Sequence, residues 1–467
     1  MKKLIIGIFI STFLVNILGG SFVQAAGIAD ISLASEYQTW KQRFVSANGA
    51  PSGSLRVIQP ENDNVTVSEA QGYGMLLALY NDDRDTFEKL WRYVEFYKDE
   101  RGLMHWKIDK SGVITGKNAA TDADEDIGYA LLAASKRWKV YETEARAYIN
   151  AIYTYEVELE TYVLKPGDVW GGSDATNPSY YAPAYYREFA RFTQNEGWYK
   201  VIETCYEIMK RARHPETGLL PEWTTINGTS SERITWNSNK DNFSYNAIRV
   251  PWRIALDWIW SGDPRAMEVM DPMMEFFANE EILRSGYRLD GAPIVNYFDA
   301  AFAAGIAAGS KASKNPLFTA EMAERLVSMT TETYYGASLR LLALLLVTNN
   351  FPNYGIVFDI LPVLPPDETE FPALIEVEHP KDGGRISGEK KLKIFVEDVD
   401  PDIYRATYEV DSQGEKEMEV SGKYHQAKII FDDWIWNGEG PYTIVYRIYN
   451  SSGEQTAQKT VRLFVKH

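Results

Sequence analysis

Two stretches of the sequence carry carboxyl groups where proton transfer could be done. In Val67-Ser68-Glu69-Ala70-Gln71-Gly72-Tyr73-Gly74-Met75 a lone glutamate sits between a serine and two glycines. Ser68 followed three residues later by Gln71 fits a capping box, and Met75, Leu76, Leu79 and Tyr80 continue the helical spacing. Glu69 then falls in a first helical turn, with Gly72 and Gly74 leaving room for close approach. The second stretch, Ala120-Thr121-Asp122-Ala123-Asp124-Glu125-Asp126, holds four acids in five residues. It is not an EF-hand calcium loop, because no glycine stands at the turn position. Both stretches also suit ordinary helix starts, where acids complement the dipole. Yet crowded carboxylates raise the pKa of at least one of their number, and burial beside Tyr73 and Trp106 adds to that. A carboxyl that keeps its proton near neutrality is what a general acid needs. The helix dipole opposes this at Glu69, so crowding and desolvation must win there.

The elements that would position these groups repeat along the chain. Six times a polar and aromatic loop runs into an apolar helix, near Ser68, Thr121, Ser179, Asn246, Asp299 and Thr333. Ile127, Leu131, Ala134 and Trp138 form one helical stripe, and Leu339, Leu342, Leu345 and Leu346 belong to another. The intervals leave room for a second, outer helix each time. Six inner and six outer helices make an (α/α)6 barrel whose inner helices all start at one mouth. Two carboxyl groups from different junctions of that mouth can stand roughly 6.5–9.5 Å apart, the separation an inverting glycosidase keeps for its water. The residues thus point to carbohydrate hydrolysis.

The rest of the chain frames that site. Residues 1–26, with Lys2-Lys3, an apolar run and small residues before Ala26, read as a secretory leader. The helical barrel spans 27–351, a proline-rich linker 352–371, and short alternating strands over 372–467 an immunoglobulin-like β-sandwich. After the leader nothing is long and apolar enough to span a bilayer. One cysteine and five scattered histidines suggest neither an internal disulfide nor a metal centre, and no cofactor is expected. The net charge of −17 argues against nucleic acid as a partner. Thirteen Trp and 29 Tyr fit stacking on sugar rings as well as core packing.

Residues Ala120 to Ala134, ending in Trp138, resemble the signature of glycoside hydrolase family 8, with Gly128 where the pattern usually has Ala. Val67 to Met75 resembles the same family's acid motif. Asn177 to Pro183, Tyr245 to Arg253 and Tyr334 to Leu342 are further matches, in family order over about residues 36–350. The resemblance implies an (α/α)6 barrel and an inverting cut of a β-1,4-linked polysaccharide: cellulose, mixed-linkage glucan, xylan or chitosan. It implies that Glu69 is the general acid and that Asp122 holds the distorted sugar in the central subsite. Trp106, Trp170, Tyr180, Tyr245 and Arg249 match positions lining the cleft.

One position departs from the pattern. In the endoglucanase-like branch the residue three before the Arg is an aspartate serving as general base; here it is Asn246. A second branch, including chitosanases, has Asn there and takes its base from a glutamate in the loop upstream. The corresponding place, near Trp236-Asn237, holds no glutamate. The loop offers Asp241 first and Glu232 second, with Glu222 before it and Asp299 a less favoured substitute. The leading expectation is a secreted, inverting endo-β-1,4-glycanase acting on a cellulose-type β-glucan, with chitosan next and xylan or a biofilm exopolysaccharide as alternatives. A different class is a polysaccharide-binding protein that has lost its base at Asn246. In the C-terminal part, Trp434 and Trp436 raise glycan binding against a spacer role, with the spacer favoured.

Overall fold

The computed structural model describes residues 32–355 and most of 375–466. The expected leader, most of the expected linker and Trp436 lie outside the described residues. The chain divides between Phe358 and Asp359 into two compact units.

In the first unit twelve α-helices are described: α1 (Leu33–Phe44), α2 (Ser68–Tyr80), α3 (Arg84–Phe96), α4 (Thr121–Trp138), α5 (Glu142–Glu156), α6 (Pro183–Thr193), α7 (Gly197–Ala212), α8 (Arg249–Ser261), α9 (Pro264–Asn279), α10 (Ala300–Ser310), α11 (Pro316–Ser328) and α12 (Tyr334–Val347). The even-numbered helices pack in sequence, α2 on α4 through to α10 on α12, and α12 closes on α2. Each odd-numbered helix packs outside this ring, α3 on α2, α5 on α4, and finally α1 on α12. The unit is therefore an (α/α)6 double ring.

The expected helix starts fall where the spacing puts them, but not all for the expected reason. Asp299 caps α10 through Ala301 N and Phe302 N, both at 3.1 Å, and Thr333 caps α12 through Gly336 N at 3.3 Å. The capping box at Ser68 and Gln71 does not form: α2 begins at Ser68 itself, with no side-chain cap. Gln71 is instead buried as a tie. Its Oε1 accepts from Val57 N, and its Nε2 donates to Leu55 O and Leu90 O, each at 3.0 Å. The stripes also differ. Nearly all of α2, α4, α10 and α12 is buried on every side, because outer helices cover what a surface helix would show to water.

The second unit is β-rich and has its own core, which includes Leu392, Ile394, Tyr446 and Leu463. One sheet orders its strands Ile375–His379, Glu389–Val396, Tyr424–Ile430, Glu419–Ser421; the other orders Arg385–Ile386, Gln455–Val465, Tyr442–Tyr449, Arg405–Val410, Glu415–Glu417. Trp434 is buried in this core against Phe431 and Tyr442, so its ring is not a surface platform for sugar.

Candidate active site

Glu69 is carried to the barrel mouth by a short strand, Thr66–Val67, that pairs with Lys107–Ile108 and runs straight into α2. Ser68 N donates to Trp106 O at 2.9 Å, which ties that tryptophan to the start of the helix. Trp106 itself is exposed. The first turn of α2 lies close on α4: a Cβ at Gly72 would stand 3.0 Å from Asp126 Cβ and 3.1 Å from Ala123 O. This close approach brings Glu69 and Asp122, each in the first turn of its helix, to a common partner.

That partner is Arg249, the first residue of α8 and almost wholly buried. Its Nη1 donates to Glu69 Oε2 and to Asp122 Oδ2, both at 2.6 Å. Its Nη2 donates to Ser179 Oγ at 3.0 Å and to Asn246 Oδ1 at 2.9 Å. The guanidinium lies 5.2 Å from the Tyr180 ring centre. Tyr334, the first residue of α12, donates its hydroxyl to Glu69 Oε1 at 2.6 Å. Both oxygens of Glu69 thus hold a donor, and its side chain keeps 18% of its surface exposed.

Burial is the largest influence on the Glu69 carboxyl and raises its pKa above the ordinary glutamate value. Arg249 opposes this, Asp122 supports it, and the Tyr334 hydroxyl opposes it. The balance is upward, in the direction a general acid requires. Crowding among the α4 acids is a smaller matter than the sequence suggests, because helical geometry sends them to separate partners. Asp124 accepts from Tyr148 and Glu125 from Tyr186, while Asp126 pairs with Arg253 at 3.0 Å. Burial, more than mutual repulsion, raises all three.

Glu69, Asn246 and Arg249 line a cavity of about 550 Å³ together with Tyr245, Asp299, Glu61 and Tyr335. The Tyr245 hydroxyl donates to Asp299 Oδ2, and its carbonyl accepts from Tyr335 OH at 2.5 Å. Trp170 stands in a separate cluster with Trp223 and Trp236, their ring centres 5.7 and 5.6 Å from its own. Trp236 is 63% exposed there. Tyr180, 6.3 Å from Trp223, links that cluster to the Arg249 site.

The structure does not bring the two preferred bases to the cavity. Asp241 is 54% exposed and pairs with Lys240 at 2.9 Å; Glu232 is exposed, and neither lines the cavity. The loop turns both outward, whereas Glu222 is folded in beneath Asn246. Tyr334 escaped the sequence reading as a site residue, although it starts the helix at the sixth junction. The rule that functional groups gather at those junctions was the signal that could have found it. Among the described residues no cluster of His, Cys, Asp and Glu could hold a metal ion.

Over residues 6–349 the chain matches the family Glycosyl hydrolases family 8. It is 44% identical over 335 residues to Endoglucanase 2 of Ruminiclostridium josui, covering 69% of this chain and 72% of that one. It is 42% identical over 333 residues to Endoglucanase C of Ruminiclostridium cellulolyticum, covering 68% and 71%. Among solved structures it resembles the apo β-1,3-1,4-glucanase of Paenibacillus sp. X4, with a TM-score of 0.64 at 27% identity. That match covers 68% of this chain and 91% of the other.

Proposed function

The chain belongs to glycosyl hydrolases family 8 and is a glycoside hydrolase, and from that premise we propose that it cuts cellulose-type β-1,4-glucan chains internally, with inversion. The observation that carries this reading is Glu69. It is a partly buried carboxyl with a raised pKa on the wall of a cavity, held by Arg249 and Tyr334 and still open to a ligand. The endoglucanase names of the two relatives support the substrate and the internal cut. In this reading Glu69 protonates the leaving oxygen, and Asp122, held by Arg249, binds the sugar at the bond to be broken. Tyr180 and Tyr245 flank that sugar, and Trp106 and Trp170 stack on its neighbours.

We read the leader at residues 1–26 as directing secretion and the C-terminal unit as immunoglobulin-like. Two features support the latter. The strand order of its sheets has the Ig pattern, and Tyr442, at the start of its strand, donates its hydroxyl back to Trp434 O as a tyrosine corner does.

The test is reducing-end release from carboxymethyl cellulose, mixed-linkage glucan, xylan and chitosan by the wild type and Glu69→Gln, with the product anomer followed by NMR. Release from the glucans that drops about 10²–10⁴-fold in the variant is expected. No Glu69-dependent release from any polymer would sink the hydrolytic role of Glu69. Initial formation of the β-anomer would sink inversion. A second reading, glycan binding without catalysis, draws on Asn246, whose amide cannot itself take a proton as a carboxylate does; binding without release would favour it.

A further inference from the structure

The position where a base is expected holds an amide, and directly behind that amide lies a buried carboxylate. Glu222 is only 2% exposed and ends the chain's approach to the loop before α8. Its Oε1 accepts from Asn246 N at 3.0 Å. Its Oε2 accepts from Asn246 Nδ2 at 3.0 Å and from Asn237 Nδ2 at 2.6 Å. On its other side the Asn246 amide meets Arg249, whose Nη2 donates to Oδ1 at 2.9 Å. These partners fix which way the amide points. A flipped amide would set N–H against guanidinium and oxygen against carboxylate. Nδ2 therefore faces Glu222, while Oδ1 keeps a second lone pair at a residue that lines the cavity.

We propose that Asn246 and Glu222 together do the work of the missing base, with Glu222 as the proton acceptor and Asn246 as the relay between it and the attacking water. The inference rests on the glucanase reading above. As the water oxygen bonds to the anomeric carbon, one of its protons passes to Asn246 Oδ1, and an Nδ2 proton passes to Glu222 Oε2. The amide becomes its imidic acid for that moment. The bond from the anomeric carbon to the leaving oxygen breaks, and that oxygen takes the Glu69 proton. The amide is restored when Glu222 returns a proton to Nδ2 and Oδ1 releases one to water; Glu69 is reprotonated from solvent. No charge or atom is left over. Among charged and titratable groups, Arg249 of α8 and Tyr335 of α12 also face this pair. Glu222 acts through Asn246, so it is a positioning and proton-accepting residue that does not touch the sugar.

The arrangement makes a distinctive demand. A carboxylate at 246 beside Glu222 would set two acids against each other. Exchanging the two groups instead restores one donor and one acceptor between positions 222 and 246, at the cost of the Asn237 Nδ2 hydrogen bond to Glu222. In N246D/E222Q, the new amide at position 222 can donate to the new carboxylate at position 246, whose other oxygen faces Arg249. The experiment measures kcat and KM on carboxymethyl cellulose for wild type, E222Q, N246A and N246D/E222Q, with folding checked by thermal unfolding. The expected result is a kcat loss of about 10²–10⁴-fold in E222Q and in N246A, the usual worth of a general base, with KM within a few-fold of wild type. The swapped double variant regains most of the lost kcat. If E222Q does not fold, N246A and the double variant decide. N246A within a few-fold of wild type, or a folded double variant as slow as N246A, overturns the proposal. Wild type that cleaves while E222Q keeps its kcat overturns this proposal alone. A wild type that cleaves nothing overturns the glucanase reading and this proposal with it.

Discussion

Glu69 is pulled in opposite directions, by burial toward holding its proton and by Arg249 and the Tyr334 hydroxyl toward losing it. In its proposed role of general acid Glu69 works only while protonated, so its pKa sets the alkaline limb of kcat/KM. Burial therefore carries that limb above the pH expected of an ordinary glutamate. Tyr334→Phe removes one donor that favours the ionised form, so the limb should move further up while the plateau falls as Glu69 loses its aim. A pH profile on a soluble glucan checks this, and a limb that moves down would contradict it. Much of this site is legible in the sequence. Glu69, Asp122 and Arg249 each sit in a motif at a helix start, and a shared mouth makes them neighbours. Tyr334 and Glu222 are less so, because nothing in the spacing marks the Tyr334 hydroxyl as a partner of Glu69 or the Glu222 carboxylate as a partner of Asn246. Which loop acid turns inward is decided by packing, so the sequence favoured Asp241 and Glu232 over the buried Glu222.

Helix α8 positions the arginine, and two neighbours hold α8. A Cβ on Gly305 of α10 would fall 2.3 Å from Ile248 O, the residue just before Arg249. Backbone cannot yield there as a flexible side chain would. Gly305→Ala should cost about 1–3 kcal/mol by overpacking and lower activity more than substrate binding, since it displaces Arg249. Chemical denaturation and steady-state kinetics read the two effects. Arg253, one turn further along, pairs with Asp126 at 3.0 Å and approaches Glu125 at 3.7 Å, all three fully buried. Arg253→Met leaves both acids without their cation and should cost about 3–5 kcal/mol; an unchanged unfolding midpoint would refute that. At this scale the six helix starts were legible, because loop-to-helix junctions repeat in the text. The faces were not. A helix buried all round shows no one-sided stripe, and Gln71, taken for a cap, finds better use tying α2 to its neighbours once it is buried.

The two compact units keep separate cores, and among the described residues the acids with raised pKa belong to the helical one. Because Trp434 is buried in the β-rich core, removal of residues 359–467 should leave both activity on soluble glucan and pull-down on insoluble glucan close to those of the full chain. Loss of pull-down alone would assign glycan binding to the β-rich unit. The pH response of stability should follow the helical unit. Asp124, Glu125 and Glu156 lie within it with no exposed surface, and burial raises the pKa of each well above its ordinary value. A carboxyl whose folded-state pKa exceeds its unfolded value contributes stability that is complete below the unfolded value. That contribution is lost as pH rises through the folded one. The helical unit should therefore weaken toward alkaline pH, as these groups must either ionise in the core or be released by unfolding. Glu156→Gln keeps the shape and removes one titration, so its unfolding temperature should fall less steeply with rising pH than that of wild type. Parallel declines in the two proteins would mean that Glu156 is not among the groups responsible.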